Sequence, residues 1–232
     1  MNAALISIVL PVYNEGERVA RIVESYLEAL KAIPNPFEII LVTNGCTDNS
    51  KEVCAALAVK HSSIRTADTG EAGWGRAVKL GLQNARGEVL CYTNLSRTTG
   101  EDLVSMLNYA LAHPNVVVKS NRKIRESWRR RLGSLFYNLE CRALFDLSAW
   151  DINGTPKIFP RTFTGLLALT RDDDLIDAEF NVICRRENYS LIEVPVFSYK
   201  RHGGRSTTNY RSAWKMYAGA FQMWRALRKG RS

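Results

Sequence analysis

Three short polar stretches hold the residues best suited to chemistry, and each follows an apolar run. Tyr13-Asn14-Glu15 follows residues 5–12, Thr43-Asn44-Gly45 follows 37–42, and Thr93-Asn94-Leu95 follows 88–92. A glycine-bearing stretch, residues 70–75, supplies Gly73 and Gly75, with Arg76 beside them. A carboxylate such as Glu15 accepts hydrogen bonds from hydroxyls or base edges, and the amides of Asn44 and Asn94 both accept and donate. Glycines let a backbone approach a ligand closely. Arg76, Arg97, Arg122, Arg201 and Arg205, the last beside Ser206, are cations able to stabilise an anionic leaving group. Asp151, Asp177 and Glu179 are candidate general bases where an acceptor is a hydroxyl. Asp172-Asp173-Asp174 reads as a solvated helix start.

Such loops need a scaffold, and the pattern between them supplies one. Residues 5–12 and 37–42 are almost unbroken apolar runs that read as strands buried on both faces. Val19, Ile22, Val23, Tyr26, Leu27 and Leu30 recur at helical spacing, and Pro34 and Pro36 stop that helix. Asn49, with Glu52 three residues on, marks another helix start. A short strand at 63–67, a helix after Gly75, a strand at 88–92, a helix at 101–111 and a strand at 116–118 complete a βαβα order. That order argues an α/β fold with a mostly parallel, helix-covered sheet. Ligands of such sheets sit outside the carboxyl ends of the strands, where the three polar stretches fall.

Composition narrows the function. The 232 residues include 32 basic and 23 acidic side chains, a net charge of +9, and 46% hydrophobic residues. This is globular usage with a field that draws polyanions: nucleic acid, anionic lipid or pyrophosphate ligands. No zinc finger, clear helix-turn-helix or aromatic-interleaved RNA-binding pattern appears, so nucleic acid is not the expected partner. Cys46, Cys54, Cys91, Cys141 and Cys184 are odd in number and form no C-x-x-C, which points to a reducing, cytoplasmic setting. No run of 18 apolar residues predicts a transmembrane helix. Residues 1–12 read as a first strand, not a signal peptide.

The last third changes character. Residues 119–131 hold seven basic side chains in thirteen, and Leu132, Leu135, Phe136, Leu139, Ala143 and Leu144 follow at helical spacing. A basic start joined to an apolar stripe suits either a membrane-surface helix or a helix packed on the domain with a solvated basic end. Residues 151–161 look like a loop, 174–187 a helix, and 190–196 an edge strand because of Pro195. A polar loop at 201–208 leads to a terminal helix, 210–228, carrying Tyr210, Trp214, Tyr217, Phe221 and Trp224. That helix packs on its own domain, on a second copy, or on a membrane-protein partner.

Taken in order, these loops resemble family 2 glycosyltransferases of the GT-A fold, and the polyprenyl- or dolichyl-phosphate sugar synthases among them. Residues 7–15 (SIVLPVYNE), including Pro11, Tyr13 and Glu15, match an opening P-x-Y-N-E. Residues 38–50 match a motif usually written V-D-D-G-S-x-D, and Gly73 through Gly87 match a glycine-rich donor loop and its helix. Residues 151–161 (DINGTPKIFPR) resemble a family loop, and Arg201 to Ser206 a phosphate-contacting R-x-x-G-x-S. The resemblance covers residues 5–208. It implies a Rossmann-like GT-A domain whose nucleotide-sugar half is 1–120 and whose acceptor half is 121–208, followed by a C-terminal helix, 209–232. It implies a UDP- or GDP-linked donor held by Pro11, Tyr13, Glu15, Asn44, Gly45, Gly73, Gly75, Arg76 and Asn94. It also implies phosphates met by Arg201, Arg205 and Ser206, to which the residue types themselves add Arg97 and Arg122 as phosphate-binding cations. The acceptor would be a polyprenyl phosphate at the inner face of a membrane.

Two departures stand out. The family's D-A-D-L-S metal motif is Tyr92-Thr93-Asn94-Leu95-Ser96 here, and Thr43-Asn44 stand where paired aspartates are usual. Mg2+ or Mn2+ would lack carboxylate ligands, with one neutral carbonyl from Asn94 in their place. The expected substitute for the metal is arginine charge. The alternative is a glycosyltransferase fold that has lost catalysis and serves as a binding or partner subunit.

Overall fold

A computed structural model describes residues 3–123, 128–197 and 210–229, with backbone alone at 128–131 and 210–213. The chain runs through β1 (Ile6–Val12), α1 (Val19–Leu30), β2 (Phe37–Thr43), α2 (Ser50–Lys60), β3 (Ile64–Asp68), α3 (Trp74–Asn84), β4 (Val89–Tyr92) and α4 (Gly100–Ala112). It continues through β5 (Val117–Arg122), α5 (Trp128–Phe145), β6 (Lys157–Pro160), α6 (Ile176–Arg186), β7 (Leu191–Val196) and α7 (Tyr210–Lys229). The strands form one sheet in the order β3-β2-β1-β4-β6-β5-β7, so strands from both sides of residue 120 share it. All pairings are parallel except those of β6, which runs antiparallel to β4 and β5.

Alternate residues of the buried strands serve opposite faces, as the pleat requires. Ile6, Ile8, Leu10 and Val12 join Ile39 and Leu41 beneath α1 and α4, with Tyr26, Leu103 and Leu107. Val9, Ile40, Val42 and Leu90 meet α3 and α6 on the other side, with Val78, Leu82 and Phe180. A helix-covered, mostly parallel α/β sheet is therefore what the sequence encodes. A third cluster joins α5, α6 and α7 through Tyr137, Cys141, Leu175, Ala178 and Ala220. The terminal helix thus packs on its own domain.

Three local expectations change. Residues 151–161 are not all loop, because Lys157–Pro160 forms β6 between β4 and β5. Flanking prolines and an inward-facing lysine mask its strand pattern. β5 continues to Arg122, so Lys119 and Ser120 of the basic run are wholly buried in the sheet. The start of α2 is bonded by Asp48 rather than Asn49: its Oδ1 accepts from Ser50 N at 3.0 Å and Ser50 Oγ at 2.6 Å. Pro195 lies on β7, at the sheet edge, as expected.

Candidate active site

The strand order reverses between β1 and β4, which opens a crevice at their carboxyl ends. β1 pairs with β4 only as far as Val9 and Tyr92, whereas it stays paired with β2 to Val12. Pro11, with no N–H to give, falls where β4 has already departed. Just beyond, Tyr13 is exposed and Glu15 opens the way to α1. Glu15 Oε2 accepts both Nε and Nη2 of Arg18, at 2.8 and 2.5 Å, and its Oε1 has no partner among the described residues.

The neighbouring loop is tied down by Asn44. Its Nδ2 donates to Val12 O at 2.7 Å, and its Oδ1 accepts from Gly73 N at 3.3 Å, joining β1, β2 and the glycine-bearing stretch. Gly45 has φ 63°, and a Cβ there would lie 2.5 Å from Ala72 N, so both conformation and space demand glycine. Sequence reasoning assigned no role to two carboxylates at this edge. Asp48 accepts from Gly16 N at 3.0 Å as well as from Ser50. Burial pushes its pKa up, but those bonds more than offset it and the carboxyl sits below its ordinary value. Asp68, level with Thr43 across the β2–β3 pairing, accepts from Lys51 Nζ at 2.7 Å and Thr43 Oγ1 at 2.8 Å, and Lys51 leads the effects that lower its pKa. Asp68 puts a carboxylate beside Thr43-Asn44. Its signal in the sequence is an Asp closing a strand just before Thr69-Gly70.

The glycines at the start of α3 meet protein, not open space. A Cβ on Gly73 would lie 2.7 Å from Asp172 O, and one on Gly75 would lie 2.4 Å from Arg171 O. Arg76 N donates to Asp172 O at 3.1 Å, and the Arg76 side chain pairs with Glu71 and, at 3.6 Å, with Asp172. Asp172 is therefore a bonded cover on α3 and not merely a solvated helix start.

At the end of β4, Asn94 Oδ1 accepts from Ser96 N at 3.0 Å and Ser96 Oγ at 2.7 Å. The one carbonyl available to a cation is thus used in a local turn. Among the described residues no group of three or more His, Cys, Asp or Glu side chains could hold a metal ion. The residues at this position do not fit a hard divalent cation. Arg97 follows, half-buried and engaged in interactions of its own.

Beneath the crevice lies a buried charge cluster. Asp177 of α6 is paired with Lys157 of β6, accepts from Tyr92 OH at 2.9 Å, and accepts from Trp74 Nε1 at 3.2 Å. It therefore ties β4, β6, α6 and the first residue of α3 together. Burial pulls the Lys157 pKa down to about 8, against the pull of Asp177. Asp151 takes Arg122 Nε at 2.7 Å and Nη2 at 2.8 Å. Burial disfavours the Arg122 cation, but Asp151 reverses that and raises its pKa. Lys119 binds Asp151 O and Glu193 Oε1, the latter at 2.8 Å. Glu179 accepts from Thr170 N at 3.0 Å and Arg171 N at 2.9 Å. All three carboxylates offered by the sequence as bases are engaged, and they act as anchors: two within ion pairs, one holding a loop. Trp74, Lys119, Lys157 and Glu193 were not singled out from sequence. Arg201, Arg205 and Ser206 lie outside the described residues.

Residues 7–165 match the family described as Glycosyl transferase family 2. An undecaprenyl-phosphate 4-deoxy-4-formamido-L-arabinose transferase of Pectobacterium carotovorum subsp. carotovorum is 28% identical over 211 residues, 88% of this chain and 63% of that protein. A dolichyl-phosphate beta-glucosyltransferase, ALG5C, of Trichomonas vaginalis is 35% identical over 101 residues, 40% of this chain and 30% of that protein. The chain thus spans less than two thirds of the length of these curated relatives. The solved structure of glucosyl-3-phosphoglycerate synthase from Mycobacterium tuberculosis in complex with uridine diphosphate superposes with a TM-score of 0.71 at 14% identity, covering 95% of this chain and 80% of that one. The fold is shared.

Proposed function

From a chain that belongs to glycosyl transferase family 2, we propose an enzyme that transfers a sugar from a UDP- or GDP-linked donor to a polyprenyl phosphate at a membrane surface. The observation that carries this is the engagement of Asp151, Asp177 and Glu179 in internal hydrogen bonds. A hydroxyl acceptor needs a carboxylate to take its proton, whereas a phosphate is already an anionic nucleophile. The names of the polyprenyl- and dolichyl-phosphate relatives point the same way.

In the step proposed, an acceptor phosphate oxygen attacks the anomeric carbon and forms the new C–O bond. The bond from that carbon to the donor phosphate breaks, the nucleoside diphosphate leaves with the electron pair, and the configuration inverts. No proton has to move. Glu15 Oε1, Asn44 and Asp68 stand at neighbouring strand ends for the nucleoside, with Tyr13 exposed beside them. Pro11, Gly45, Gly73, Gly75 and Asn94 shape the crevice wall. Charge on the leaving diphosphate falls to Arg76 and Arg97, with Arg201, Arg205 and Ser206 kept from the sequence as phosphate contacts. Arg122, locked to Asp151, holds the acceptor side in shape.

A second reading, a catalytically inactive partner subunit, is favoured by one observation: the end of β4 carries Asn94 and no carboxylate. Calorimetric titration of UDP, GDP and their sugar derivatives, with Mn2+ and again with EDTA, separates the two. Binding of one nucleotide that survives EDTA, with sugar transfer to a short polyprenyl phosphate, is expected. Absence of binding under both conditions would move the assignment to the inactive partner.

A further inference from the structure

We infer that Trp74 is a positioning residue for the leaving diphosphate: through Asp177 it fixes the first turn of α3, and with it Arg76, against the end of β4. Trp74 stands between Gly73 and Gly75, two residues with no side chain to anchor their backbone. Of the side chains in 70–75, only that of Trp74 bonds to a buried group. Its Nε1 donates to Asp177 Oδ2 at 3.2 Å, whereas Glu71 meets Arg76 at the surface. The Asp177 carboxylate is divided among its partners. Among the described residues Oδ2 takes the indole alone, while Oδ1 takes Tyr92 OH at 2.9 Å and the Lys157 ammonium. The indole also meets the Tyr92 ring edge-on, with centroids 6.4 Å apart.

The strut joins two parts of the crevice that handle charge. Tyr92 closes β4 two residues before Asn94, and Arg76 follows Trp74 by two residues on the first turn of α3. Asn94 and its neighbours do not fit a hard divalent cation, so aligning a leaving diphosphate with the end of β4 falls to protein groups. The Arg76 guanidinium is paired with exposed Glu71 and Asp172 and is free to exchange them for a ligand. Its use to a diphosphate then depends on where its backbone is held. Asn44 reaches this stretch through Gly73 N at 3.3 Å, and Asp172 O holds Arg76 N at 3.1 Å. The bond from Trp74 is the one that ends on a buried charge, where a hydrogen bond is stronger than at the surface. The inference rests on the sugar-transfer reading for the identity of the ligand.

Trp74→Phe keeps an aromatic ring beside Tyr92 and removes the N–H. Wild type and variant are titrated with UDP and GDP by calorimetry, and with uridine and guanosine by NMR shifts. The variant should bind the diphosphate that wild type prefers about tenfold less tightly, because the turn carrying Arg76 is no longer preorganised. Its circular dichroism and its binding of the corresponding nucleoside should be unchanged, since Glu15, Asn44 and Asp68 are untouched. A merely structural role would weaken nucleoside and diphosphate alike. Wild type should also show one indole N–H signal, missing from the variant, that moves with the diphosphate and not with the nucleoside. Equal diphosphate affinity in the two proteins, parallel loss for nucleoside and diphosphate, or an indole signal that the diphosphate leaves unmoved would overturn the positioning role and leave the sugar-transfer reading standing. A wild type that binds neither diphosphate would overturn both.

Discussion

Replacing Asp177 by Asn tests whether the buried pair with Lys157 holds the candidate site together. The change keeps shape and removes one charge. Lys157 has no exposed surface, and its ammonium sits 5.5 and 5.3 Å from the ring centroids of Tyr92 and Phe180, with Asp177 as its carboxylate partner. Removing one member of a buried pair costs about 3–5 kcal/mol, because the other charge is left uncompensated. Lys157 limits that cost by losing its proton, so about 3 kcal/mol is expected at neutral pH. In urea denaturation this is a large share of an ordinary domain stability of roughly 5–15 kcal/mol. The sign with pH follows. Without its partner, Lys157 has a folded pKa still further below its unfolded value, so the variant gains stability as pH rises. The wild type, whose Lys157 titrates at about 8, gains nothing below that pH. The deficit should therefore shrink as pH approaches 8. Adding K157M to D177N should recover most of the loss. A deficit under about 1 kcal/mol that is flat with pH would refute the argument.

Four further outcomes are expected. Glu15→Gln should weaken nucleotide binding about tenfold without changing the urea midpoint, because Oε1 is the unengaged acceptor of that carboxylate. Gly75→Ala should cost about 1–3 kcal/mol in thermal or urea unfolding, since its Cβ would press on Arg171 O. Glu38 has burial raising its pKa, but Ser7, the Arg86 N–H and Arg65 outweigh this and hold it below 4.5. The stability that Glu38 confers is present above that value and lost as pH falls through the folded pKa, so wild type and Glu38→Gln should converge in acid unfolding. Arg76→Ala should weaken diphosphate binding about tenfold with little effect on stability.

The legible parts of this fold were those where one physical signal acted alone. The apolar runs of β1 and β2 could only be strands buried on both faces, and α1 showed its inward stripe at helical spacing. β6 was hidden because its first residue is a lysine whose burial depends on Asp177, twenty positions away in sequence. No local pattern announces a partner supplied by another element. The same holds for Asp151, Asp177 and Glu179. As residue types they suit base catalysis, and only tertiary structure shows their oxygens already taken. The polar loops at the carboxyl ends were readable because strand order and turn chemistry coincide there. Asp68 was not, since its nearness to Thr43 depends on the pairing of β2 with β3.

Arginine charge can replace a metal only if the arginine can change partners, and the structure separates two of the candidates on that ground. Arg122 meets Asp151 through two side-chain bonds and a backbone bond of 3.0 Å, and only 3% of the Asp151 side chain is exposed. To reach a phosphate it would have to leave a buried carboxylate unpaired, which costs more than an ordinary phosphate contact returns. Arg76 is held by Glu71, whose side chain is 77% exposed, and by Asp172, which is 53% exposed. Exposed pairs contribute about 0–1 kcal/mol, and water readily takes over the released carboxylates. A diphosphate brings more negative charge than either partner, so Arg76 can exchange at little cost. What suits an arginine to an anionic ligand here is the weakness of its present bonds, and by that measure the glycine-bearing end of α3 is better placed than the acceptor side to receive the leaving group.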